Sequence, residues 1–473
     1  MATGLTSKAR SYLAEIVGDE NITDDMVDLV AYSRDSSPEP TRLPIAIVRP
    51  GNAEEIAKIF RVANELKFPI IPRGGGTCAG GGGVSIRGDG VILDLGRLNR
   101  IIEISEQDMT VTANSAVTWG QLDYELSLKS YRPPFWGPES AFGATLGGSI
   151  SCASMSSQGS TVAGSAADEV ITLQVVLPNG DIIYTGSDSL PKAGKFARIC
   201  NGGDYTGIFT GSLGVFGVIT EATIKIEPLP KEARYAACIF TEWNGGIQYA
   251  LKMLHYKIPE VLSISPGPRT VKSSYGVDGQ CAFKYVIEEQ DPTIADRKLE
   301  LGKKFAQDLR GAIVADGDEK TRIWWKDMFM RLVTDARKRE SFVAHGCHRV
   351  PLKKLPIAAE DAENYFFKEC RVEELGMTTT LGSYVSDMRP TCSMYPMLFF
   401  KDDPETRKKA WEIWNGWMER AITSYGASPY WMGYAWARHL IPKLRSENYR
   451  MLVTLKKALD PNNILNPGLL LLD

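Results

Sequence analysis

The sequence predicts a chain of mixed helix and strand built from two or more packed units. Three observations carry this. The chain has 473 residues, 44% of them hydrophobic, which is enough for more than one core. Stretches of strand and helix periodicity alternate through its first half. Near Pro230 the composition turns to Trp, Tyr, Met and charge.

The N-terminal stretch reads as an amphipathic helix to about Val30, followed by the Pro/Ser-rich crossing AYSRDSSPEPTRLP. PIAIVRP is a short apolar strand. NAEEIAKIFRVANELK carries Ile56, Ile59, Phe60, Ala63 and Leu66 at helical spacing, and FPIIP is a second buried-type strand. GVILDLGRLNRIIEI and MTVTANSA alternate as strands, and WGQLDYELSLKS is a short helix. EVITLQVVLPNGDIIYTG places two strands around a Pro-Asn-Gly turn. GSLGVFGVITEATIKIEPLP closes this half with a glycine turn and a long strand. In the second half, PETRKKAWEIWNGWMERAITSYG is a helix whose Trp411, Trp414 and Trp417 form a core-facing stripe. YRMLVTLKKALDPNNILNPGLL is a last helix ended by Asp-Pro.

The net charge of −3 offers no basic excess for nucleic acid. No apolar run is long enough to span a membrane. MATGLTSKARSYLAEIVGDE has no apolar segment of signal-peptide type, and the eight cysteines lack paired spacing. The expectation is a cytoplasmic protein with reduced thiols.

One run stands out: RGGGTCAGGGGV, residues 73–84, in which seven of twelve residues are glycine. Each glycine adds an entropic cost on ordering, so the run needs a reason. It lies between two apolar strands, unlike a linker. Gly83 is followed by Val84 and Ser85, so it lacks the Lys-Ser/Thr of a P-loop. It also lacks the Gly-x-Gly-x-x-Gly triplet that opens a dinucleotide-binding helix. What remains is a loop whose backbone N–H groups meet an anion directly, with Arg73 as an added charge. A second tract, PPFWGPESAFGATLGGSISCASMSSQGS, is rich in small residues and leaves room for a large flat ligand.

The ordered set PIAIVRPGNAEEIAKIFRVANELKFPIIPRGGGTCAGGG, GVILDLGRLNRIIEI, FGATLGGSISCASMSSQG, EVITLQVVLPNGDII, GSLGVFGVITEATIKIEPLP and ALDPNNILNPG resembles the FAD-linked oxidases of the vanillyl-alcohol oxidase type (the PCMH-type fold). The nearest likeness is to the D-lactate dehydrogenase and glycolate oxidase branch. The resemblance covers roughly residues 10–230 and 445–473. It implies an FAD-binding domain of two α+β subdomains over residues 1–230, and a cap with antiparallel sheet and helices over 231–444. A C-terminal segment, 445–473, would return to the FAD domain.

Carried over by motif, Pro72, Arg73, Gly74, Gly75, Gly76 and Thr77 would hold the pyrophosphate. Pro138, Ala144, Thr145, Gly147, Gly148 and Ser149 would line the flavin and its phosphates. Gly217, Val218 and Ile219 would touch the adenosine and flavin side, and Asn466 would return to the ring. Relatives with covalent FAD often carry histidine where this chain has Thr77, which implies non-covalent FAD here. Cys152 lies past the cysteinyl attachment point of other relatives and reads as a packed thiol.

The D-lactate branch holds a divalent metal with a His-Gly-Asp-Gly-Asn-x-His signature and a later Glu-His pair. Here those places fall on residues 389–395, with Arg389 and Tyr395 for the histidines, and near Met432 and Gly433. Such residues do not make a hard-cation site, so no metal is expected. Tyr384, Tyr395, Tyr430, Trp431, Tyr434 and Trp436 surround this region with aromatic rings. The expected substrate is a small, aromatic organic molecule that loses a hydride from a CH–OH or benzylic C–H. Arg389 and Tyr395 would orient it and stabilise charge, and Tyr384, Tyr434, His345 or His348 would serve as base. HGCHR brings His345, Cys347 and His348 close together, but no second ligand pair stands at zinc spacing. Three alternatives stay open: a 2-hydroxy acid dehydrogenase with an altered site, a non-catalytic flavin subunit of a complex, and an NAD(P)H-dependent reductase. The electron acceptor is open among an electron-transfer flavoprotein, a quinone, an iron–sulfur subunit and oxygen, and a homodimer is one state the resemblance admits.

Overall fold

A computed structural model describes residues 4–35, 37–40, 42–157, 159–326, 342–401, 403–429 and 433–472. The single N-terminal helix expected from the sequence is two. Ser7–Val17 is capped by the Thr6 side chain and stops at Gly18, whose φ is 84°. Met26–Tyr32 is capped by Asp25. A 3₁₀ turn (Asp19–Asn21) and strand β1 (Ile22–Thr23) separate them. The positive φ at Gly18 and the capping carboxylate of Asp25 each break the helical run, and periodicity alone does not register them.

β2 (Ala46–Val48), β3 (Ile70–Arg73) and β4 (Val91–Asp94) follow. They form a parallel core in the order β2-β4-β3, with β1 antiparallel on its edge. The helix Ala53–Leu66 is the crossover from β2 to β3, and it buries Ile56, Ile59, Phe60 and Ala63 against the sheet. The glycine run starts where β3 ends. It therefore leaves the carboxyl end of a parallel strand, the usual place for a ligand in such sheets.

The second sheet is antiparallel: β5 (Ile101–Ser105), β6 (Thr110–Asn114), β7 (Val170–Val176), β8 (Ile182–Tyr184) and β9 (Val218–Lys225), in the order β5-β6-β9-β7-β8. The Pro-Asn-Gly hairpin between β7 and β8 forms as the sequence predicts, with Gly180 at φ 87°. The short helix Leu146–Cys152 packs on this sheet so closely that a Cβ on Gly147 would lie 2.5 Å from the Ser115 Cβ.

Residues beyond 230 build a seven-stranded antiparallel sheet and a three-stranded companion. Its core gathers Phe240, Tyr249, Phe283, Phe366, Trp414 and Trp417. Trp411 departs from the expected stripe: it is half-buried, with its indole N–H 3.4 Å from Glu39. Hydrogen bonds seat this sheet on the first half. The Leu262 amide donates to Thr161 Oγ1 at 3.0 Å, and Thr161 Oγ1 donates to the Val385 carbonyl at 3.0 Å. Packing changes partner between Trp436, which joins the cap core, and Ala437, which joins the core of the second sheet.

The helix Ser446–Leu459 leads back to the parallel sheet. The Ile70 amide donates to the Ile464 carbonyl (2.7 Å) and the Asn466 amide to the Ile70 carbonyl (2.8 Å). Ile464 and Leu465 complete the core beneath β3.

Candidate functional site

Three loops surround one cleft of about 1230 Å³, open solvent at its mouth included. They are the end of β3 with the run to residue 83, residues 138–155 with the helix Leu146–Cys152, and residues 213–217 with the start of β9. Of the cofactor residues expected from the sequence, Asn466 alone does not line it.

The glycines have two different jobs. A Cβ on Gly75 would sit 1.6 Å from the Gly143 carbonyl oxygen, and one on Gly74 would sit 2.4 Å from Thr145 Oγ1. Here glycine lets two backbones touch, so both loops face the cleft with main chain rather than side chains. Among the described residues, the amides of Gly74, Gly75, Gly76 and Thr77 donate to no protein acceptor. Consecutive free N–H groups beside a cleft suit a diphosphate. The second half of the run is stapled elsewhere. The Gly81 amide donates to Asp35 (2.7 Å), and the Gly80 carbonyl accepts from the Ala435 amide (3.1 Å). Gly433 faces Gly80 so closely that a Cβ there would meet its carbonyl oxygen at 2.2 Å.

Arg73 lines the cleft, but its guanidinium is committed to carbonyl groups: Gly83 at 3.0 Å, Arg34 at 3.2 Å and Tyr32 at 3.4 Å. It therefore shapes the loop, in place of the phosphate charge expected of it. Asp35 is buried beside it, and burial pushes its carboxyl up against the opposing hydrogen bonds of Ser37 and Gly81. Thr145 caps the helix Leu146–Cys152, accepting from the Gly148 amide at 3.3 Å. The Ser149 hydroxyl is held from below by the Trp119 indole N–H at 2.8 Å. Asn466 lies behind the wall, its side-chain amide donating to the Leu213 carbonyl at 2.8 Å. It braces a lining residue and does not face the cleft.

The cap contributes His345, which lines the cleft with Nδ1 against the Cys347 thiol. Burial pushes the imidazole down to about 4, with the charge of Glu139 opposing. Glu139 also lines the cleft and accepts from the Ser157 hydroxyl at 3.0 Å. Tyr384 is buried behind them, its ring 5.7 Å from that of the half-buried Tyr395. Burial holds its phenol well above the ordinary range, helped by the charges of Glu139 and Cys347.

The other expected catalytic side chains lie apart. His348 is fully buried in the cap core among Trp417, Tyr425 and Trp436. Its Nδ1–H donates to the Gly346 carbonyl (2.9 Å), and Nε2 accepts from the Tyr425 hydroxyl (3.2 Å). It is a satisfied core histidine, pushed down to about 4 by burial. The side chain of Arg389 is 71% exposed and pairs with Asp387 at 2.9 Å, because it caps the turn between two strands rather than facing inward. Tyr434 lies against Gly81, with the Arg438 guanidinium 5.3 Å from its ring, on the far side of the glycine run. Tyr430, Trp431 and Met432 lie outside the described residues. Among the described residues, no three His, Cys, Asp or Glu side chains are grouped to hold a metal ion.

Sequence reasoning missed Arg349. Its Nη2 lies 2.9 Å from the Met155 sulfur, and Met155 lines the cleft. Its Nη1 is 4.0 Å from Asp387, the carboxylate that Arg389 holds more closely, and its Nε is buried without a partner. Nothing in HGCHRVP marks this arginine, because the strand His348–Pro351 that aims it is positioned only by its pairing in the sheet. Asp35 and Met155 were also missed; Met155 falls inside the small-residue tract.

Comparison with known proteins agrees with this geometry. Residues 44–186 match the FAD binding domain model. Residues 229–470 match the model of the FAD linked oxidases, C-terminal domain. The glycolate oxidase subunit GlcD of Bacillus subtilis (strain 168) is 29% identical over 98% of this chain and 97% of its own length. The mitochondrial D-lactate dehydrogenase [cytochrome] of Arabidopsis thaliana is 26% identical over 96% of this chain and 78% of its own. Among solved structures, 4-ethylphenol oxidase from Gulosibacter chungangensis superposes with a TM-score of 0.82 at 18% identity, covering 99% of this chain and 98% of that one. p-Cresol methylhydroxylase gives 0.79 at 18% identity, covering 98% and 97%. A glycine-built backbone cradle under an antiparallel cap, matched along both halves, identifies the chain as a member of the FAD-linked oxidases and an FAD-dependent oxidoreductase.

Proposed function

We propose that this flavoenzyme oxidises the CH–OH group of a small organic acid. The observation that carries the reading is Arg349: a guanidinium beside the cleft whose Nε is buried and unpaired and whose Nη2 rests on a thioether. A thioether is a weak acceptor, so a carboxylate displacing Met155 gains a charge-assisted pair. The names of the relatives, glycolate oxidase and D-lactate dehydrogenase, support the same class. The aromatic reading loses its arginine, because Arg389 is on the surface.

Bound FAD supplies the hydride acceptor. Arg349 holds the carboxylate and so fixes the carbon that loses hydride. His345, neutral through burial, takes the hydroxyl proton on Nε2, the ring nitrogen turned away from Cys347, and Glu139 stabilises the resulting imidazolium. The Pro72–Thr77 segment and the loop before β9 hold the diphosphate and adenosine side. No covalent link forms at position 77, since Thr77 offers no imidazole.

The test is steady-state kinetics of Arg349→Met on glycolate and D-lactate, followed by flavin bleaching. The expected result is a KM raised at least tenfold with FAD content unchanged. An unchanged KM for every acid turned over sinks the assignment. A second reading, an aromatic alcohol or alkylphenol, is favoured by the Tyr384–Tyr395 ring pair. Bleaching by a phenol but by neither acid selects it. GlcD is named as a subunit, and a partner protein as electron acceptor is a proposal on that ground alone.

A further inference from the structure

The seven-stranded sheet of the cap has two unlike faces. Strands His348–Pro351, Thr391–Met394, Ser383–Ser386 and Val261–Pro266 lie side by side in it. Their register sets Val350, Cys392 and Val385 in one row, and all three belong to the cap core. One residue along, the row reads Arg349, Ser393, Tyr384 and Ser263. Successive side chains point to opposite faces, so this second row turns away from the core. It meets the FAD-binding half at Met155, a residue that lines the cleft. The Met155 sulfur lies 2.9 Å from Arg349 Nη2 and 3.7 Å from Ser393 Oγ. Paired residues stand about 4.5–5.5 Å apart at Cβ. A short serine between a long arginine and a long tyrosine therefore leaves a notch, and the thioether sits over it. Among the described residues, two buried polar atoms flanking this notch have no partner: Arg349 Nε and the Tyr384 hydroxyl. Tyr384 is 2% exposed, and a buried hydroxyl with nothing to bond costs free energy that phenylalanine in its place would avoid.

We propose that Tyr384 is a substrate-binding residue, whose phenol O–H donates to the carboxylate that Arg349 holds over Ser393. The inference rests on the reading of the substrate as a small organic acid, and it completes the site that reading began. The row offers one guanidinium and three hydroxyls and no carboxylate, so what it lacks is an acceptor, and an anion supplies several lone pairs at once. When the acid enters, the Met155 thioether gives up its place and both orphaned donors gain a partner. The part differs from the base expected of this tyrosine. Burial holds its phenol well above the ordinary range, so it keeps its proton and donates, and the proton of the substrate hydroxyl is left to His345.

The experiment compares the purified full chain with its FAD, Tyr384→Phe and Arg349→Met. The probe is oxalate, which has the carboxylate of glycolate but no C–H to lose, and its Kd is read by titration calorimetry. Thermal melting and flavin absorbance are read on the same samples. Tyr384→Phe keeps the ring and removes one oxygen. The expected result is an oxalate Kd, and a KM for glycolate or D-lactate, raised about tenfold, as fits one hydrogen bond to a charged group. Flavin content should be unchanged and the melting temperature equal or higher, because the lost hydroxyl was unpaired. If Arg349→Met weakens oxalate and Tyr384→Phe does not, the proposal is overturned while the acid reading stands. If the unmodified protein binds no oxalate, or neither variant weakens it, the acid reading falls and takes the proposal with it. A weaker Kd in Tyr384→Phe that comes with a lower melting temperature or lost flavin makes the tyrosine structural and also overturns the proposal.

Discussion

Lys456 donates at 2.6 Å to Asp460, the residue that caps its helix one turn on, and both are buried. The same ammonium donates to the carbonyls of Leu465 (2.6 Å) and Val215 (3.1 Å). Asp460 accepts in turn from the amides of Ile464 (3.0 Å) and Leu465 (2.9 Å). One ion pair thus folds the C-terminal segment back under β3 and ties it to the loop before β9. Lys456→Met leaves a buried carboxylate uncompensated and should cost about 3–5 kcal/mol. Chemical denaturation followed by far-UV circular dichroism measures it; a change below 1 kcal/mol would refute the role.

Arg132 plays the corresponding part between the halves. It is 4% exposed and pairs with Glu227 (2.7 Å), Glu260 (3.5 Å) and Glu288, the last two from cap strands or their approach. Burial pushes Glu260 up to about 7, with Arg132 opposing. A carboxyl raised on folding stabilises fully below its unfolded value, near 4.5, and that contribution is lost as pH rises through about 7. Without Arg132 the rise is larger and the loss deeper. Arg132→Met should therefore lower the melting temperature more at pH 8 than at pH 5. Equal losses at both would show that the carboxyls do not titrate in this range.

Gly75 tests the cradle. Its added Cβ would collide with the Gly143 backbone at 1.6 Å, and backbone does not yield as a side chain does. Gly75→Ala should fold with native circular dichroism yet retain less than a tenth of the flavin. In the unmodified protein, acid precipitation should move the flavin into the supernatant. Flavin left in the pellet would mean a covalent link.

His345 tests the proton path. With its imidazole pushed down to about 4, it is unprotonated, and so free to accept a proton, at any pH above that value. The acid limb of kcat/KM should fall near pH 4 rather than near 6.5, and His345→Gln should remove that limb and cost on the order of 10²–10⁴ in kcat. Buried His348 is lowered in the same way, so stability is also lost as pH falls from about 6.5 towards 4. Circular dichroism at each pH separates unfolding from the kinetic limb. A limb that survives in His345→Gln would assign the proton to another group.

Much of the cofactor half was legible because its signals are local. The crossover helix is written in the spacing of Ile56, Ile59, Phe60 and Ala63, and the β7–β8 hairpin in Pro-Asn-Gly. The cleft could be read from its glycines because a backbone cradle excludes side chains whatever surrounds it. The cap was less legible, since a substrate site made of side chains depends on which faces of distant strands meet.

Arg389 and Arg349 show where the line falls. Sequence alone established the mix of helix and strand, the cradle, and the family resemblance with the α+β fold and the FAD it implies, because turn chemistry and helical period act over a few residues. It also marked an arginine and several aromatic rings in the cap without ordering them. Only the tertiary structure decided that Arg389 faces water beside Asp387 while Arg349 reaches Met155 at the cleft. It likewise decided that His345 lines the site while His348, three residues on, is sealed in the core. The physical reason is strand placement: Arg389 sits in a turn between two strands, His345 ends a strand of the three-stranded sheet, and His348 begins a strand of the seven-stranded one. Which of them meets the cleft is set by pairing and packing with segments far away in the chain.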